Sequence, residues 1–298
     1  MPHPPADERR TATLGNGLLV AALCLVWSST WWAIRICLEE QPPLSSCAVR
    51  FAIAGVAMAL LAPRLRARER APAPPVWLWV VCGLTNFSAG YGVLYVAETV
   101  VPSGIAAVLW AIFPLLMAGS APCFLGERLR LVQWLGFAVS FAGIVVVFSG
   151  DLGGVDEGNV GYAWLLLLSP LIATFGTTLV KKYGSHASSV VLNRNGMLLG
   201  AAALAVAAFV REDPLGMHWS ARAWTATLYL ALMGTTMTFG VYFWLLRTAP
   251  ASMLALINYV TPVLAMALAA LVGDGELGLR SWSGAGLVVL GIALVVRR

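Results

Sequence analysis

The chain has 298 residues, 59% of them hydrophobic and 11% charged, against roughly 45–50% and 25% in soluble domains. That balance excludes a water-soluble globular core. The net charge of +5 is spread over short segments without interleaved aromatics, which argues against a nucleic-acid-binding surface.

Apolar segments of the length that crosses a ~30 Å hydrocarbon layer as a helix, about 17–25 residues, recur ten times. Residues 1–14, rich in proline and charge, are expected to form a disordered cytoplasmic tail. Span 1 (15–36) reads as an uncleaved helix carrying Trp27, Ser28, Trp31 and Arg35 on one face, with Thr30 close by. Span 2 (43–62) carries Arg50, near enough to its outer end to snorkel to the headgroups, with substrate binding or gating as the alternative. Span 3 (76–97) places Ser88, Tyr91, Tyr95 and Glu98 in a stripe flanked by Asn86. In span 4 (103–124) Trp110 precedes Pro114 by about one turn, and span 5 (131–149) has few polar residues.

The second half follows the same order. Span 6 (160–180) offers Thr174, Thr177, Thr178 and, at its end, Lys181, and span 7 (188–209) has Arg194 between Asn193 and Asn195. Span 8 (224–246) sets Thr235, Thr238 and Tyr242 on one face. Asn258 and Tyr259 precede Pro262 in span 9 (250–272), and span 10 (281–296) closes the series. Polar side chains in lipid must find a partner or line water, and here they concentrate in spans 1, 3, 4, 6, 8 and 9.

One pattern occurs twice, about 148 residues apart. Gly92, Pro102, Ala107, Pro114, Gly126-Glu127, Trp134, Gly136 and Gly143-Ile144 are answered by Gly240, Pro250, Ala255, Pro262, Gly275-Glu276, Trp282, Gly284 and Gly291-Ile292. Each copy holds an odd number of spans, so the second lies upside down relative to the first, the arrangement of transporters that work by alternating access. With the N-terminus inside, thirteen Arg and Lys residues fall on the cytoplasmic side and four outside, so both termini are expected to be cytoplasmic. The fold expected is all-α and integral to the membrane, with ten helices in two inverted five-helix repeats.

The candidate substrate-binding residues are Trp27, Ser28, Thr30, Trp31, Asn86, Tyr91, Tyr95, Trp110, Thr177, Thr178, Thr238, Tyr242, Asn258 and Tyr259. Pro114 and Pro262 each remove a helical hydrogen bond in mid-span and are candidate hinges. Glu98 is the one candidate coupling group, since no His or Asp lies in a span centre. The five cysteines have no metal-ligand spacing, although Cys37 and Cys47 flank one loop and could pair. No GxSxG, HExxH or P-loop pattern is present, so an intramembrane enzyme is disfavoured and no cofactor or metal is expected.

The stretches VWSSTWWAIR (26–35), PPLSSCAVRFAIAG (42–55), PSGIAAVLWAIFPLLMA (102–118) and GERL (126–129), with their answer in the second half ending in WSGAGLVVLGI, resemble the EamA family of the drug/metabolite transporter superfamily. The resemblance implies five-helix repeats at 15–150 and 160–298, a cavity between spans 1, 3, 4, 6, 8 and 9, and export of amino acids or related metabolites across the bacterial inner membrane. The expected partners are a small-molecule substrate and the lipid bilayer, with the chain a monomer or homodimer. Efflux of drugs or aromatic compounds is the alternative.

Overall fold

A computed structural model describes residues 6–101, 103–150, 160–213, 216–272 and 278–297. Among them nine helices are long and apolar enough to cross a membrane, and a shorter apolar one, Leu131–Val147, falls where span 5 is expected. The helices are α1 (Ala6–Glu40), α2 (Pro43–Glu69), α3 (Val76–Leu84), α4 (Gly90–Glu98), α5 (Ser103–Trp110), α6 (Phe113–Ser120), α7 (Leu131–Val147), α8 (Val160–Gly184), α9 (Ser189–Arg211), α10 (Ala221–Ala231), α11 (Thr238–Leu246), α12 (Ala251–Ala255), α13 (Ile257–Val272) and α14 (Leu279–Val296). Helix α1 starts at Ala6, inside the segment expected to be a disordered tail.

Four expected spans are composite. A π turn at Thr85–Ala89 joins α3 to α4, and another at Leu232–Met237 joins α10 to α11. These two turns occupy matching places in the repeated pattern. In the fourth span α5 ends at Trp110 and α6 restarts at Phe113 with Pro114 in its first turn, where a missing N–H goes unnoticed. In the ninth the break lies at Leu256, between α12 and α13. Pro262 lies beyond that break, inside α13.

Helices at matching places in the pattern pack on each other. Helices α7 and α14 run antiparallel, with Gly136 facing Gly291 and Gly143 facing Gly284. A Cβ on Gly143 would stand 2.7 Å from the carbonyl oxygen of Gly284, so only glycine permits this approach. Helices α2 and α9 also run antiparallel, and each is capped by a carboxylate from the end of the other. Glu69 accepts from the Ser189 amide at 2.7 Å, while Glu212 accepts from the amides of Leu44 and Ser45 at 2.7 and 2.8 Å. These bonds satisfy amide groups that a helix start leaves open.

Glu127 performs the same service for α12, accepting from the Ala251 amide at 2.8 Å and the Ser252 hydroxyl at 2.6 Å. It thus caps a helix far along the chain and not the one that follows it. Its counterpart Glu276, with Gly275 and Pro102, lies outside the described residues. Cys37 and Cys47 are buried free thiols.

Candidate functional site

The centre of the molecule is aromatic. Trp27 packs against Phe239 and Tyr242 with ring centroids 5.5 Å away in both cases, Tyr91 meets Phe239 at 6.1 Å, and Trp110 meets Phe113 at 5.7 Å. Between these rings lies a cavity of about 90 Å³, room for several waters. Its walls are Trp27, Thr30, Trp31, Ile34, Asn86, Gly90, Tyr91, Leu94, Trp110, Phe113, Ala173, Thr177, Phe239, Tyr242, Asn258 and Thr261. They come from α1, the first π turn and α4, α5 and α6, α8, α11 and α13, the six spans singled out by their polar stripes.

Four pairs of wall residues stand at matching positions of the repeated pattern: Tyr91 with Phe239, Leu94 with Tyr242, Trp110 with Asn258, and Phe113 with Thr261. Extending the register from Tyr91 and Tyr242 leads to Phe239 and Leu94, which the polar stripes passed over, whereas Phe113 and Thr261 match only each other. Gly90 and Ala173 carried no such signal, since small residues line a wall only by what they leave open.

The structure brings together Trp27, Thr30, Trp31, Asn86, Tyr91, Trp110, Thr177, Tyr242 and Asn258. It does not bring Ser28, Tyr95, Thr178, Thr238 or Tyr259 to the cavity wall. Ser28 donates to the Leu25 carbonyl, Thr178 lies against Ser120 at 3.1 Å, and Tyr259 donates to the Phe137 carbonyl at 3.0 Å in the packing between helices. Thr238 is fully buried away from the cavity. The physical reason is angular: successive helical residues differ by about 100°, so in the pairs Trp27-Ser28, Thr177-Thr178 and Asn258-Tyr259 only one member faces inward.

Tyr95 has a different partner. Arg50 is 1% exposed, so it does not snorkel to the headgroups. Its Nε donates to the Thr235 hydroxyl at 2.9 Å, one terminal nitrogen to the Tyr95 hydroxyl at 3.0 Å and the other to the Gly234 carbonyl at 3.3 Å. The guanidinium carbon is 4.9 Å from the centre of the Tyr91 ring, a cation–π contact directly behind the cavity wall. Glu98 is not part of that wall; it lies in the electrostatic field of Arg50 and Arg35, with one carboxylate oxygen enclosed and unpartnered. Arg194, half-buried, donates to the Asn195 side chain at 2.9 Å and also lies away from the cavity.

Hydrogen bonds fix the polar part of the wall. Asn86 accepts from Thr177 at 3.1 Å and donates to Thr85 at 3.1 Å. Ser169 donates to the carbonyl of Gly90, at the end of the first π turn, at 2.7 Å. In the second π turn Thr235 and Thr236 donate to the carbonyls of Leu230 and Ala231 at 2.7 and 2.9 Å. Such turns open the helical ladder and recur at functional sites. Three wall groups keep buried polar atoms without a partner: the indole nitrogens of Trp27 and Trp110 and the hydroxyl of Tyr242.

The model of the EamA-like transporter family matches the chain twice, over residues 15–149 and 160–297. An uncharacterized inner membrane transporter of Escherichia coli strain K12, YedA, is 33% identical over 278 residues, covering 92% of this chain and 88% of its own length. The uncharacterized transporter YvbV of Bacillus subtilis is 26% identical over 281 residues, covering 94% and 91%. A solved crystal structure superposes with a TM-score of 0.81 at 21% identity, across 95% of this chain and 97% of its own, and so shares the fold.

Proposed function

The chain belongs to the EamA-like transporter family, and on that premise we propose that it is a secondary transporter exporting amino acids or related neutral and zwitterionic solutes across the bacterial inner membrane. The observation that carries this reading is the cavity wall built from four matched pairs, two of them putting an aromatic ring opposite a ring or an amide. Apolar rings with a few oriented polar groups suit a small solute with an apolar body. The inner-membrane name of the relative at 33% identity supports the location.

Alternating access between two inverted five-helix units, 15–150 and 160–298, is part of the same proposal. It is supported by the double family match, by the antiparallel packing of matched helices and by the reciprocal caps of Glu69 and Glu212. The distribution of Arg and Lys supports cytoplasmic termini. The breaks beside Pro114 and at Leu256, together with the paired π turns, are the flexible points about which either side would open. Efflux of aromatic compounds is the second reading, favoured by the ring cluster of Trp27, Phe239 and Tyr242.

Reconstitution into liposomes tests the proposal, following labelled amino acids and aromatic compounds with and without a pH gradient and with counter-substrate inside. Uptake of one amino-acid class, indifferent to the gradient, is the expected outcome and makes the protein an exchanger or facilitator. Gradient-driven uptake would instead show proton coupling, with Glu98 the candidate carrier. Movement of aromatic drugs alone would replace amino acids with the efflux reading.

A further inference from the structure

The polar atoms that the cavity leaves unpaired are not a random sample. Two of the three are indole N–H groups, Trp27 Nε1 and Trp110 Nε1, which can only donate. The third, the Tyr242 hydroxyl, can donate as well. Buried donors without acceptors are rare and call for an explanation. In a cavity wide enough for a ligand, the explanation is an acceptor carried by that ligand.

Charge points the same way. Among the described residues no Asp or Glu lines the cavity, while the Arg50 guanidinium sits behind the Tyr91 ring. An ammonium group entering here would meet neutral acceptors, such as the Asn258 carbonyl that Pro262 deprives of its helical donor, and ring faces, but no carboxylate in the wall to pair with, and a buried cation without one is costly. A carboxylate would find two obligate donors, a third available one and a positive field.

Resting on the transporter reading above, we infer that the cavity recognises the carboxylate of its solute: the substrates are organic acids with an aromatic or apolar body, held by Trp27, Trp110 and Tyr242, and an α-amino group is not required for binding. Amino acids then bind through their acid end alone.

Four solutes that share a phenyl body separate the possibilities: 3-phenylpropionate, phenylalanine, phenethylamine and 3-phenylpropan-1-ol, each tested as competitor and as counterflow substrate in proteoliposomes. The inference expects the acid and the amino acid to compete comparably and the amine at least about tenfold more weakly. Trp27→Phe and Trp110→Phe keep a ring and lose the donor. Each should weaken the acid about tenfold or more, the scale of a hydrogen bond to a charged group, and should weaken the alcohol, a neutral acceptor, by a smaller factor than the acid. The wild-type panel decides the matter even if a variant fails to fold. An amine as effective as the acid, or phenylalanine exchanging while phenylpropionate does not, overturns the inference and leaves transport standing. If no solute of this or the broader panel exchanges, both readings fall.

Discussion

Arg50 and Thr235 tie the first half of the chain to the second: the buried guanidinium donates from Nε to the threonine hydroxyl at 2.9 Å, locking α2 onto the π turn between α10 and α11. The same side chain reaches Tyr95 at the end of α4 and the carbonyl of Gly234. One cation thus fixes two of the cavity-bearing segments relative to each other from behind the wall.

Arg50→Lys keeps the charge but cannot span all three partners, because an ammonium is a point donor and a guanidinium a planar fork. The loss of one or two charge-assisted bonds, about 1.5–3 kcal/mol each, should lower the melting temperature of the detergent-purified protein by several degrees. Transport per folded molecule should fall too, since Tyr91 loses its backing. An unchanged melting curve together with unchanged flux would show that the guanidinium geometry is immaterial.

The glycines of α7 and α14 predict a sharp contrast within one helix pair. A side chain at Gly143 meets the backbone of Gly284 and Val288 at 2.7 and 2.8 Å, whereas one at Gly286 meets nothing within 4 Å. Gly143→Val should cost at least the ~1–3 kcal/mol of an overpacked contact, visible as reduced yield and a lower melting temperature. Gly286→Ala should match the wild type or melt slightly higher, because alanine is the better helix former. Equal behaviour of the two variants would mean that these helices do not pack through their glycines.

Glu69 joins three elements. Its carboxylate caps α9 at Ser189 and forms an ion pair with Arg247 at 2.8 Å, and the Glu69 side chain is only 2% exposed. Neutralising one partner of a buried pair typically costs about 3–5 kcal/mol, more than the pair itself contributes. Glu69→Gln should therefore destabilise strongly, and Arg247→Met should lose less because Glu69 keeps its serine donors. A double-mutant cycle should give a coupling well below the loss from Glu69→Gln alone; additive losses would rule out an interaction between the two side chains.

Much of this architecture is written in the chain because lipid enforces a simple rule: a polar side chain in the hydrocarbon layer turns inward. That rule picks out the six cavity spans from Trp31, Tyr91, Thr177 and their neighbours. It misjudges Arg50 when depth alone is considered, since a residue near a helix end has the reach to snorkel. The helical phase was the better guide. Ser46, Cys47, Phe51 and Ala54, at spacings of three, four and one around Arg50, are buried, whereas Ala52, Val56 and Leu60 are exposed on the outer face. The π turns and the caps supplied by Glu69, Glu127 and Glu212 depend on contacts between distant segments, for which no periodicity exists to be read.

Trp31 and Trp32 offer the cleanest test of which face carries function, because they are adjacent, chemically identical and about 100° apart around α1. Trp31 lines the cavity, and Trp32 is 65% exposed at the outer surface of the bundle, where an indole rests against lipid. Trp31→Ala removes wall area that a solute would cover and should cut flux at least about fivefold, through a raised KM, with little loss of abundance. Trp32→Ala should leave flux within about twofold. Tyr95→Phe completes the comparison: Tyr95 bonds Arg50 and not the cavity, so its variant should show the lower melting temperature expected of a lost buried hydrogen bond, about 1 kcal/mol, before any change in KM. Loss of transport in Trp32→Ala with Trp31→Ala unaffected would put the solute path on the other side of the helix and remove the aromatic cavity from the mechanism.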